Sequence, residues 1–140
     1  MNYPLPIDLL PHRPPQLYLT RVLAVADDHG SIETLAVLPA ELFPGHFPGR
    51  PVLPGVAMIE MLAQSLACLA SLTGEPGLGM LTGVEKARFR GVVTLPAECV
   101  VEVAVTARRF GLTMATGKVR CGGKVVCTAS LQAVLVESDA

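Results

Sequence analysis

The run Pro51-Val-Leu-Pro-Gly55-Val-Ala-Met-Ile-Glu60-Met-Leu-Ala-Gln64-Ser-Leu-Ala-Cys-Leu-Ala-Ser-Leu72 decides the fold. Pro54-Gly55 opens a helix and Gly74 is placed to end it, so the spacing predicts a helix over Val56–Leu72. Thirteen of those 17 residues are apolar, and they occur on every side. A helix that is apolar all round must be covered all round. One helix and a single large sheet meet that demand if the sheet curls around the helix.

The flanking sequence supplies such a sheet. Pro4–Pro15 is a proline-rich N-terminal segment. Leu17–Ala26 and Ser31–Leu38 read as strands joined at the turn signal Asp27-Asp28-His29-Gly30. After a short Gly/Pro loop, Gly74–Gly79, three strand-like runs follow: Met80–Val93, Glu98–Phe110 and Thr113–Val136. The last is broken at Gly122-Gly123, a pair suited to a hairpin turn. Two strands, one long helix and then strands with no second helix predict an α+β domain with an antiparallel sheet. No linker, repeat or low-complexity tract divides the chain, so residues 1–140 are read as one domain.

Bulk composition narrows the function. Half of the chain is apolar and 16% is charged, which predicts a buried oligomer interface. A net charge of −1 argues against a nucleic-acid binder. Gly83–Val125 is locally basic, with eight Lys/Arg against three Glu, and could face an acidic partner or simply water. Cys68, Cys99, Cys121 and Cys127 show no metal-binding spacing and read as buried, reduced thiols of a cytosolic protein. Three scattered histidines make no metal constellation, and there is no nucleotide-binding glycine loop, so no cofactor is expected. The N-terminus lacks the pattern of a signal peptide, and Glu60, Gln64, Ser65 and Ser71 make the helix too polar for a membrane span.

Glu60 is the only charged residue between Pro51 and Gly74. Held among Val, Ile, Met and Leu, a carboxylate loses hydration, which favours its protonated form. A carboxylic acid that keeps its proton near neutral pH can donate it. Gln64, one turn on, can hold that carboxyl by a hydrogen bond. The bland alternative is a polar stripe facing water. His46 lies in the loop Phe43–Gly55, which holds four prolines and three glycines. A loop so constrained can fix an imidazole in one orientation for proton transfer, or can use it merely to tie up carbonyls. Gly55 exposes an unpaired N–H at the positive end of the helix, a candidate donor to a developing oxyanion. Glu60 lies roughly 8 Å further along the axis. His12 reads as a structural cap and His29 as a solvated turn residue.

The segment Gly45-His-Phe-Pro-Gly-Arg-Pro-Val-Leu-Pro-Gly55, followed by Glu60 and Gln64, resembles the signature of β-hydroxyacyl-acyl-carrier-protein dehydratases of the FabZ type. Leu10-Pro-His-Arg13, Lys86-Ala-Arg-Phe-Arg90 and Gly123-Lys-Val-Val126 extend the resemblance over most of the chain. The resemblance implies a hot-dog fold, a curved antiparallel sheet around one central helix. It implies a homodimer with shared active sites, often as a trimer of dimers. It implies His46 as base, Glu60 of the partner subunit as acid, Gly55 as oxyanion donor and Gln64 in support of Glu60. The reaction would be loss of water from a 3-hydroxyacyl thioester on acyl carrier protein.

The chain departs from that pattern at Pro14–Arg21, at Leu95-Pro-Ala-Glu98, and at Met80, where many members carry a tyrosine that gates the acyl tunnel. These departures bear on chain length, gate and pathway, and leave the acid–base pair intact. Fatty-acid synthesis and a polyketide or polyene pathway fit equally. Arg88, Arg90, Arg108 and Arg109 are candidate docking residues for the acidic carrier. Two rival readings are a hot-dog thioesterase or hydratase acting on coenzyme A esters, and a non-catalytic subunit that binds acyl carriers.

Overall fold

The computed structural model describes residues 2–74 and 78–136. In chain order the elements are α1 (Pro6–Leu9), β1 (Arg21–Val25), β2 (Ser31–Leu38), a short 3-10 turn (Ala40–Leu42), α2 (Gly55–Leu72), β3 (Leu78–Phe89), β4 (Ala97–Arg109), β5 (Leu112–Cys121) and β6 (Lys124–Val136). The strands form one antiparallel sheet in the order β1-β2-β4-β5-β6-β3. Helix α2 packs against β2, β4, β5, β6 and β3. Five neighbouring strands of a flat sheet span about 19 Å, whereas a helix with its side chains is about 10–12 Å wide. One helix can touch all five only if the sheet bends around it. This is the hot-dog arrangement, as the pattern of apolar residues requires.

Period-two alternation sets the inner face. Ile32, Thr34, Ala36 and Leu38 of β2 are buried while their neighbours are not. The inward Thr34 is not a mismatch, because its hydroxyl lies 2.8 Å from that of Ser65 on α2, and Ser65 donates to the Met61 carbonyl at 2.9 Å. Val101 and Val103 of β4, Val119 of β5 and Cys127, Ala129 and Leu131 of β6 complete the wall facing Met61, Leu62 and Leu69. At Gly117 the helix packs tightly on the sheet: an added Cβ would sit 2.7 Å from Leu62 Cδ2 and 3.3 Å from the Glu102 carbonyl.

The expected element boundaries shift for identifiable reasons. The first strand starts at Arg21 rather than Leu17, because the Tyr18 N–H is taken by the Gln64 side chain instead of a neighbouring strand. The run expected to continue to Val93 leaves the sheet after Phe89, and Gly91 turns the chain at φ 89°. The proline-rich N-terminal segment contains the short helix α1, with Pro6 in its first turn where a missing N–H costs nothing. Part of the Gly74–Gly79 loop lies outside the described residues.

Coverage of α2 is incomplete in the single chain. Nine of its residues are buried, but Val56 is 78% exposed, and Ile59, Glu60, Ala63, Ala67 and Ala70 are only half-buried. By length and hydropathy the helix could cross a membrane, yet half of it is buried against the sheet as a core helix. Beside it, edge strand β3 exposes Met80, Leu81, Val84 and Phe89.

Leu62 is fully buried and cannot swing aside, so Gly117→Ala should destabilise the fold by about 1–3 kcal/mol through overpacking. Urea denaturation of the purified variant measures this, and an unchanged midpoint would disprove the close approach.

Candidate active site

The loop from Phe43 to Leu53 is held at both ends and in the middle. Phe47 and Arg50 exchange backbone hydrogen bonds at 2.8 and 2.9 Å. The Val52 N–H donates to the His46 carbonyl at 2.7 Å. The segment after β3 then clamps the loop's end, with Leu53 N–H donating to the Val93 carbonyl at 2.9 Å and Leu95 N–H to the Pro51 carbonyl at 3.0 Å. His46 Nδ1 lies 3.0 Å from the Val52 carbonyl oxygen. A carbonyl can only accept, so Nδ1 must carry a proton. In the neutral ring, Nε2 is then the unprotonated nitrogen and available as a base. Phe47 stacks on the imidazole, with ring centroids 4.1 Å apart.

Glu60 stands on the open side of α2. Its side chain is 40% exposed, so the hydrocarbon surround expected from the sequence is absent in one chain. The reason is geometric: the sheet covers the opposite side of the helix, and the residues flanking Glu60 along the open side include small alanines. Gln64 is buried, and all of its amide is used. Its Nε2 donates to Glu60 Oε2 at 3.0 Å and to the Gln16 carbonyl at 2.7 Å, and its Oε1 accepts from the Tyr18 N–H at 3.0 Å. A backbone N–H on one side and a carbonyl on the other fix which way the amide faces.

Two residues join this cluster without being singled out for it in the sequence. His12, read there as a cap, places Nε2 3.7 Å from Glu60 Oε2, while its Nδ1 is buried with no hydrogen-bond partner among the described residues. Tyr18 has its phenol pushed toward the neutral form by burial and, secondarily, by the Glu60 charge. Its ring lies 5.9 Å from that of Phe43, where the His46 loop begins. Contacts therefore run from Glu60 through Gln64 and Tyr18 to the His46 loop. Among the described residues, however, no hydrogen bond or ion pair joins His46 to Glu60.

The start of α2 is open to a ligand. The Gly55 N–H has no acceptor among the described residues, since the first bonds of the helix, from Ala57 and Met58, return to Pro54. Phe89 lies directly over Gly55, and an added Cβ would meet its ring at 3.0 Å. Only glycine lets the aromatic ring approach the helix end so closely. This contact too leaves no mark in the sequence. Met80 is exposed on β3 and, with Leu10, His12, Ala67, Ala70 and Leu135, lines a cavity of about 230 Å³ beside the open stripe of α2. The four arginines do not form one patch. Arg109 shares a row of the sheet with Leu112, Val134 and Met80, whereas Arg88 pairs with Thr128, on the order of 20 Å away along the strands.

A FabA-like domain model matches residues 10–130. The 3-hydroxyacyl-[acyl-carrier-protein] dehydratase FabZ of Anaeromyxobacter sp. (strain K) is 37% identical over 137 residues, covering 94% of this chain and 88% of that protein. The FabZ of Yersinia enterocolitica is 38% identical over 130 residues, covering 89% and 77%. Among solved structures, the dehydratase heterocomplex ApeI:P from Xenorhabdus doucetiae matches with a TM-score of 0.85 at 21% identity, over 98% of this chain and 94% of that one. A putative thioesterase from Ralstonia eutropha matches with a TM-score of 0.66 at 18% identity, over 81% and 83%. At such identities the structures speak for the fold, and the sequence matches carry the family. The chain belongs to the FabA-like family, alongside the FabZ 3-hydroxyacyl-[acyl-carrier-protein] dehydratases.

Proposed function

We propose that the chain removes water from 3-hydroxyacyl thioesters held on acyl carrier protein, in the cytosol and without a cofactor, giving trans-2-enoyl thioesters. The observation that carries this reading is the fixed imidazole of His46, whose Nδ1 is committed to Val52 and whose Nε2 is left to take a proton. His46 removes the α-proton next to the thioester carbonyl. The negative charge that develops on the carbonyl oxygen is met by the free Gly55 N–H and the positive end of α2. Glu60 gives a proton to the departing hydroxyl, which leaves as water. Gln64 holds the Glu60 carboxyl in place.

The exposed carboxyl and the exposed edge of β3 support a paired site. A second subunit covering the open stripe of α2 would bury Glu60 and bring it to the partner's His46. We therefore assign a homodimer with two shared sites, which could stack further as a trimer of dimers. The acyl chain would follow the stripe Ala63-Ala67-Ala70 toward Met80, the gate. Arg88 and Arg90 flank Phe89, which covers Gly55, so they are better placed than Arg108 and Arg109 to receive an acidic carrier at the site mouth.

His46→Ala and Glu60→Gln should each lower turnover by ~100-fold or more with fold and assembly unchanged. Mass spectrometry of the carrier-bound substrate reads the loss of water directly, and retained turnover in either variant would eliminate the assignment. Gln64→Leu keeps the size but leaves the Tyr18 N–H and Gln16 carbonyl unpartnered. It should cost about 1–3 kcal/mol in denaturant unfolding and also reduce turnover, and a variant unaltered in both would contradict the holding role. Charge reversal at Arg88 and Arg90 should raise KM for carrier-bound substrate while sparing a small thioester mimic, and to a greater degree than reversal at Arg108 and Arg109. Equal effects on carrier-bound and small substrates would reject docking at this surface.

A further inference from the structure

We propose that Cys99 and Cys121 form an oxidisable dithiol that closes to a disulfide between β4 and β5. Three of the four thiols are buried as the sequence suggests, but Cys121 is only half-buried. It lies directly opposite Cys99 in the register of the two strands. Residues so paired have Cα atoms about 4.5–5.5 Å apart, inside the range of about 4.4–6.8 Å that a disulfide spans. Directly opposite residues of an antiparallel pair point their side chains to the same face of the sheet, so the two thiols face one another, and Cys121 Sγ reaches the Glu98 carbonyl at 3.4 Å beside Cys99. Little backbone movement is needed to join them.

The two sulfurs have different roles. Cys121, near the Gly122-Gly123 turn, is the one a solute can reach. Cys99 is enclosed, and burial, with the neighbouring sulfur adding to it, pushes its thiol up to about 12. With a small disulfide such as oxidised glutathione, the Cys121 thiolate attacks one glutathione sulfur and releases the other as glutathione. Cys99 then loses its proton and attacks Cys121 Sγ in the mixed disulfide, expelling the second glutathione. Two protein thiols are oxidised to one disulfide, and one glutathione disulfide is reduced to two thiols. The closing step is slow because Cys99 is rarely a thiolate. Reduction is slow for the same reason, since an incoming thiol meets Cys121 first and must expel Cys99, a poor leaving group. Once closed, the bond is therefore persistent. Its place gives it consequence, for Cys99 follows closely on Val93–Leu95, the segment that clamps the His46 loop.

The test exposes the purified protein to oxidised glutathione for hours, quenches with acid, and alkylates the unfolded chain. The reduced protein takes four labels and the oxidised protein should take two, with peptide mapping linking Cys99 to Cys121. Cys99→Ser should instead retain a glutathione adduct on Cys121, because nothing is left to displace it. Cys68 and Cys127 should label fully in every sample. Four labels on the wild type after oxidation, a stable adduct with no cross-link, or a cross-link through Cys127 would each overturn the proposal. None of these readouts depends on the enzymatic activity.

Discussion

The structure is governed by one constraint: a helix with apolar residues on every side, and one sheet to hide them. Bending the sheet lets five strands reach α2, and Gly117 removes the side chain that would keep Leu62 from the wall. The bend still leaves one stripe uncovered, from Val56 past Glu60 to Ala70. The open stripe and the polar cluster on it are therefore results of the same packing problem. What the sheet cannot cover is the surface that the proposed substrate chain and second subunit would share.

Within that frame, His46 and Gln64 are positioned by bonds to backbone, and Glu60 is held in turn by Gln64. Val52 fixes one nitrogen of His46, and Gln16 and Tyr18 fix the Gln64 amide that holds Glu60. Backbone partners cannot rotate away, so the imidazole and the amide are held in advance of any ligand. The ordering entropy is met by folding, and in the proposed reaction these groups would need little rearrangement when substrate arrives.

Much of this was legible in the sequence because the signals are local. The helix, the turn at Asp27–Gly30 and the break at Gly122-Gly123 follow from spacing within a few residues. His46, Gly55, Glu60 and Gln64 stood out because a charged or constrained residue in an apolar setting is conspicuous. The contacts that were missed join distant parts of the chain. Tyr18 lies 46 residues from the Gln64 it binds, and neither His12 beside Glu60 nor Phe89 over Gly55 has a local pattern to announce it. The hydrocarbon surround expected for Glu60 failed in the single chain for a related reason: periodicity says which side chains are apolar, not which chain will cover them.

If, as proposed, the imidazole of one chain works with the carboxyl of another, the half-covered helix has an evolutionary consequence. After gene duplication, a copy that loses one of the two groups can still complete a reaction centre with an intact sister copy. Each mixed pair keeps one working centre, so the altered copy is free to diverge toward a new length of substrate or a purely supporting duty. On that reading, a fold that leaves its central helix half covered would tolerate inactivation of a member that a self-contained enzyme would not survive.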